Sequence, residues 1–116
     1  GHTVYDHDYN GIALSTVEGD RIAAKLGNND IVFMAAHGVT VTGASVARTF
    51  DRLYYLERAC QVQVIARSTG LPLRRLPDDV IEATVRQFAT SNTDSVPLHF
   101  DSLKRILDRD EPDYKS

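Results

Sequence analysis

The chain has 116 residues, 42% hydrophobic and 25% charged, the balance of a single packed globule, which excludes disorder, collagen and coiled coil. Its net charge of −3, from 13 basic and 16 acidic side chains, provides no broad cationic field for a nucleic acid or an anionic bilayer, so neither is expected as a partner. One cysteine, Cys60, leaves no intramolecular disulfide and no cysteine zinc cage; no apolar run reaches membrane-spanning length, and the first residues lack the apolar core of an export signal, so a cytoplasmic setting is expected.

From the N-terminus, Val4 and Tyr5 favour an extended strand and Asn10-Gly11 a turn. Ser15-Thr16-Val17-Glu18 has capping-box spacing and opens a helix through Ile22, Ala23 and Leu26 that Gly27 ends. Ile31 to Ala36 is an apolar run of strand length, suited to cover on both faces. After His37-Gly38 the alternation resumes at Val39 and Val41, which predicts a chain that stays extended through a bend at the glycine.

Ser45 to Thr69 carries the longest helical pattern, stopped by Gly70 and Pro72. Val46, Phe50, Leu53, Cys60 and Val64 share one stripe, and Glu57 falls in its middle. A carboxylate buried there needs donors or a cation, because an unpaired buried charge costs several kcal/mol. A further helix starts around Pro77-Asp78-Asp79 and fades at Ser91-Asn92, its apolar face formed by Val80, Ile81, Val85 and Phe88. A linker through Pro97, a short amphipathic helix carrying Phe100, Leu103, Ile106 and Leu107, and a charged tail that is mobile unless docked complete the chain. Two segments are expected, 1–92 and 93–116.

Four histidines, at 2, 7, 37 and 99, are the available imidazoles, with no His-x-His and no pair four apart on a helix. His2, Asp6, His7 and Asp8 cluster in sequence and offer donors for a metal, but a short polar loop is ordinarily just solvated. His37 stands out because it leaves a buried strand and precedes a glycine, which fixes the origin of the ring and permits close backbone approach at a cleft. Tyr54-Tyr55 and Arg74-Arg75 carry little weight as sites, Cys60 on an apolar stripe is expected to be inert, and there is no phosphate-cradling glycine loop and no nucleophile elbow.

His37-Gly38-Val39-Thr40-Val41-Thr42-Gly43, followed by Leu56-Glu57-Arg58-Ala59-Cys60-Gln61, resembles the second half of the class II aldolase and adducin head domain, and Asp6-His7-Asp8-Tyr9-Asn10-Gly11 resembles its adducin-like branch. The resemblance covers about residues 2 to 90. It implies an α/β fold, a three-layer α/β/α domain with a largely antiparallel central sheet of which this chain supplies the C-terminal half, assembled as a homotetramer. It also implies a metal-dependent lyase acting on a small hydroxylated or phosphorylated carbonyl compound. In such enzymes three histidines hold zinc or a similar divalent ion; the one at the His-Gly corner matches His37. The His-x-His pair and the acid/base glutamate belong to the missing N-terminal half, which becomes a required partner. Gly38, Gly43 and Glu57 are expected as structural residues near the site, and Tyr114 as a tail phenol able to reach a substrate. Ala36 stands where many relatives carry asparagine. The alternative implied by the adducin-like branch is a non-catalytic assembly module.

Overall fold

The computed structural model describes residues 3–8, 14–91 and 95–115, and the chain divides into two compact units, Gly1–Ala44 and Ser45–Ser116. In the first, β1 (Thr3–Asp6), α1 (Thr16–Leu26), β2 (Ile31–Met34) and β3 (Gly38–Val41) form a three-stranded sheet ordered β1-β2-β3. Because α1 carries the chain back to the start of the sheet, β1 and β2 run parallel, with Val4 opposite Val32 and Asp6 opposite Met34. β2 and β3 are antiparallel, with Phe33 opposite Val39. The expectation of a largely antiparallel sheet is thus met by one pairing out of two, and one helix layer is seen against the sheet in this unit.

Alternation along the strands separates two faces. Val4, Asp6, Val32 and Met34 lie on the face met by α1, as the contact of Asp6 with Arg21 of that helix shows, and Val32 is fully buried there. Tyr5 and Phe33 lie on the other face and stack, with ring centroids 5.6 Å apart and planes 13° apart. α1 starts and stops where its sequence signals stand, at Ser15 and at Gly27, whose φ of 53° suits glycine. The capping box itself does not form: Ser15 makes no side-chain cap bond, and Glu18 turns to Arg21 instead. The Asn10-Gly11 turn lies outside the described residues.

The chain does not stay extended past β2. Met34 to His37 makes a tight reversal closed by the His37 amide donating to the Met34 carbonyl (3.2 Å), with Ala36 at a φ of 56°. A positive φ at the third position is the signature of a type II turn, which a run of apolar residues does not announce.

In the second unit, α2 (Val46–Ser68) is capped by the Ser45 hydroxyl accepting from the Arg48 amide (3.2 Å). α3 (Asp78–Ser91) begins just after Pro77, whose carbonyl accepts from the Ile81 amide, and carries Asp78 and Asp79 in its first turn where the helix dipole favours acids. α4 (Ser95–Asp110) is a full 16-residue helix rather than a short one. Pro97, expected in a linker, lies in its first turn, where a missing N–H leaves no intrahelical bond unmade. α2 and α4 pack together through Phe50 and Phe100, whose rings meet edge to face at 5.4 Å. A 3₁₀ turn, Pro112–Lys115, folds the tail back onto α4. Among the described residues no helix is long and apolar enough to cross a membrane.

Candidate functional site

The reversal between β2 and β3 places His37 at an exposed tip. Its backbone is bracketed by two unusual conformations, Ala36 at φ 56° and Gly38 at φ 155°. A Cβ added at Gly38 meets nothing within 4 Å, so within this structure glycine serves the backbone angle and not a close approach. Gly43 lies exposed two residues before the Ser45 cap.

Next to the turn sits a buried, doubly bonded ion pair. Asp6, only 2% exposed, receives Arg21 Nη1 on Oδ1 (2.9 Å) and Arg21 Nη2 on Oδ2 (2.6 Å), the two-pronged geometry that a guanidinium matches to a carboxylate. The Asp8 amide donates to Oδ1 as well (3.2 Å). Arg21 also donates from Nε and Nη2 to Glu18 (2.8 and 2.7 Å). The bonds from Arg21, aided by the Asp8 amide, outweigh burial and hold the Asp6 carboxyl down at about 2. Glu18 and Asp6 together keep the Arg21 guanidinium charged at any ordinary pH. Asp6 is therefore committed to Arg21 and is not open to a metal, while His7 and Asp8 are solvent-exposed. His2 lies outside the described residues.

In the second unit, Glu57 is exposed instead of buried in an apolar stripe. It accepts from Gln61 Nε2 (3.4 Å), and Arg58 Nη1 donates to Gln61 Oε1 (3.1 Å). These three residues, with Phe50, Leu53 and Tyr54, line a depression of about 230 Å³ along one face of α2. The predicted stripe exists as a helix face, but α4 covers only part of it, so the carboxylate needs no buried donor.

A pair that the sequence did not reveal joins the helices. His99 Nδ1 of α4 lies 2.7 Å from Oδ1 of Asp51 on α2, both largely shielded, with the imidazole ringed by Tyr54 (4.9 Å), Tyr55 (5.8 Å) and Phe50 (6.4 Å). Asp51, Tyr54 and Tyr55 stand at i, i+3 and i+4, the spacing that puts them on one side of a helix. That spacing was the available signal. Its partner, 48 residues on, had none.

Tyr114 is docked. Its hydroxyl donates to Asp108 Oδ1 (2.6 Å), and Lys115 Nζ reaches the same oxygen (2.6 Å). The Asp108 carboxylate holds the phenol's proton more firmly than usual, and Lys115 and Tyr114 in turn lower the Asp108 carboxyl. Among the described residues no three of His, Cys, Asp or Glu converge as a group able to hold a metal ion. His37 belongs to the first unit, and Glu57 and Tyr114 to the second.

The family model for the class II aldolase and adducin N-terminal domain matches residues 1–64. A Pseudomonas aeruginosa protein bearing the name aldolase class 2 protein is 33% identical over 113 residues, which cover 94% of this chain and 44% of that one. A Caulobacter vibrioides protein of the same name is 35% identical over 109 residues, 93% of this chain and 42% of that one. Relatives at 29% identity include a Streptomyces niveus protein named a decarboxylase and an adducin-related protein of Caenorhabditis elegans. The crystal structure of an aldolase II superfamily protein from Pseudomonas syringae superposes with a TM-score of 0.83 at 34% identity, covering 99% of this chain and 46% of its own. The chain spans less than half the length of the bacterial aldolase-type relatives it matches. With more than half its residues inside the family model, the chain belongs to the class II aldolase and adducin N-terminal domain family.

Proposed function

We propose that the complete protein is a metal-dependent lyase of the class II aldolase type, in which His37 is one of three histidine ligands and the other two lie outside this chain. The observation that carries this reading is the setting of His37: an exposed imidazole at the tip of a hairpin, between Ala36 at a left-handed φ of 56° and Gly38 at φ 155°. A metal ligand must present a lone pair outward from a fixed origin, and a neutral imidazole on such a turn meets that need. The described residues supply no complete donor set, so among them His37 fits one vertex of a site. A divalent ion held there, zinc by expectation, supplies Lewis-acid stabilisation of negative charge developing on a carbonyl oxygen.

The other residues have supporting parts in this reading. Gly38 supplies the backbone angle behind the ligand, and Gly43 leads from the sheet toward the Ser45 cap. Glu57 serves as a structural acid through Gln61. Tyr114 keeps its proton, as a hydrogen-bond donor or acid must at neutral pH, but its present acceptor is Asp108, which it would exchange for a substrate oxygen. The substrate class is a small hydroxylated, possibly phosphorylated, carbonyl compound, and the reaction is aldol cleavage or a related decarboxylation or epimerisation. A cytoplasmic homotetramer containing the remaining part of the domain is the proposed working form.

The test is metal content of the purified complete protein. Wild type is expected to hold about one divalent ion per chain and His37→Ala to lose most of it, because one lost ligand of three leaves a poorly closed site. Full occupancy in His37→Ala overturns the assignment. The adducin-related relative supports a second reading, a non-catalytic assembly module. It is favoured if the wild type assembles normally with no stoichiometric metal.

A further inference from the structure

We propose that the Asp6–Arg21 ion pair is the positioning device of the His37 turn, transmitting the place of α1 to the hairpin through the backbone of Asp6. This rests on the reading of His37 as a metal ligand.

The path is short and all within the sheet unit. The Asp6 carbonyl accepts from the amide of Ala35, the second residue of the reversal, at 2.8 Å. Asp6 is also the last residue of β1, so beyond that bond no strand supports the turn from this side. Besides its ladder place opposite Met34, the Asp6 backbone is held through its own side chain: two bonds from Arg21 and one from the Asp8 amide, on a carboxylate whose side chain is 1% exposed. Arg21 is in turn fixed by Glu18 one turn earlier on α1. A single guanidinium thus grips the end of β1 from α1, and the end of β1 grips the start of the turn that carries His37.

The chemistry favours this use of a buried charge. An ion pair taken out of water gains little net stability over apolar packing, yet its geometry is demanding, because a displaced partner leaves a buried charge unsatisfied. Such a pair tolerates few positions of the backbone it is attached to. A ligand on a turn needs that restriction, since groups supporting a metal-binding imidazole set its affinity by about ten- to a hundredfold. Ala36 adds to the need: a non-glycine residue at a left-handed φ keeps that conformation only when its surroundings over-determine it.

The experiment uses the complete protein with Asp6→Asn, which keeps shape and loses charge, Arg21→Lys, which keeps charge and loses the fork, and Glu18→Gln, which leaves the Asp6–Arg21 contact and loosens only its support. Hydrogen exchange at the Ala35 and His37 amides is read beside zinc affinity by chelator competition. Asp6→Asn and Arg21→Lys are expected to accelerate exchange at these two amides by about tenfold or more, with α2 amides at wild-type rates, and to weaken zinc binding by about tenfold. Glu18→Gln, the variant least able to disturb folding, is expected to shift both in the same direction by a smaller factor. Exchange within about twofold of wild type in the folded variants overturns the proposal, as does faster exchange with unaltered zinc affinity where His37→Ala abolishes binding. If His37→Ala leaves zinc binding intact, the ligand reading falls, and the exchange rates alone decide whether Asp6–Arg21 positions the turn.

Discussion

In the sheet unit Val32 is fully buried and Asp6 is matched to Arg21 by two bonds, whereas α2, with 23 residues, buries none completely and leaves Val62, Val64 and Ile65 about two-thirds exposed. α3 repeats the pattern: Val85 and Phe88 of its apolar face stay more than half exposed. The strands and α1 satisfy one another because a parallel β-α-β crossover lays its helix directly on the two strands it joins. The helices of the second unit have amphipathic faces wider than the neighbours present can cover. The chain spans less than half the length of its aldolase-type relatives. The difference teaches that the candidate ligand sits in the unit whose geometry is internally determined, while the apolar residues of α2 and α3 stand largely exposed.

The sharpest way to break that contrast is one truncation in each unit. Val32→Ala is expected to cost about 2 kcal/mol in urea unfolding, since it removes fully buried methyl groups and leaves a cavity. Phe88→Ala, at a residue 61% exposed, is expected to change stability by less than about 0.5 kcal/mol. A loss at Phe88 equal to that at Val32 would mean that the α3 face is covered in solution. Acid probes the same unit by another route. Asp6 titrates at about 2 when folded and near its ordinary 3.8 when unfolded, so its contribution is complete above pH 4 and disappears as pH falls through 2. The urea midpoint should drop over that window, and less steeply in Asp6→Asn.

Capping sharpens the comparison further. Ser45→Ala removes an observed bond to the Arg48 amide and should cost about 1 kcal/mol, whereas Ser15→Ala, at a cap with no side-chain bond, should cost no more than a few tenths. Equal losses would show that the two helices start alike after all. At the turn the expected effect is small and of opposite sign: Ala36→Gly relieves a left-handed φ but adds chain entropy to the unfolded state, for a net gain of about 0.5 kcal/mol in thermal unfolding. Asparagine, which tolerates the same conformation, should behave similarly.

Legibility followed sequence distance. The limits of α1 at Ser15 and Gly27, the strand character of the run from Ile31 and the start of a long helix near Ser45 are decided within a few residues, and each was readable. The hairpin was not, because Ala36 is an ordinary residue in an unusual conformation and its neighbours alternate as well in a straight strand as in a reversed one. Asp6 read as a loop acid and Tyr54-Tyr55 as an unremarkable pair, because their partners Arg21 and His99 are 15 and 45 or 44 residues away and pairwise distance is not written in local pattern. Glu57 was placed correctly on its stripe and wrongly in the interior, since periodicity assigns a face without saying what covers it.

By itself, then, the order of residues determined the helices, the strands, the family and the position of a histidine before a glycine, because these depend on dihedral preference, hydrophobic period and short motifs. Only the tertiary structure decided that the chain reverses at that histidine, that Arg21 closes on Asp6 behind it, and that Asp51 meets His99 across two helices. Those outcomes depend on which distant groups must share a buried space, and desolvated charge and aromatic packing choose such partners only once the backbone has brought them within a few ångströms.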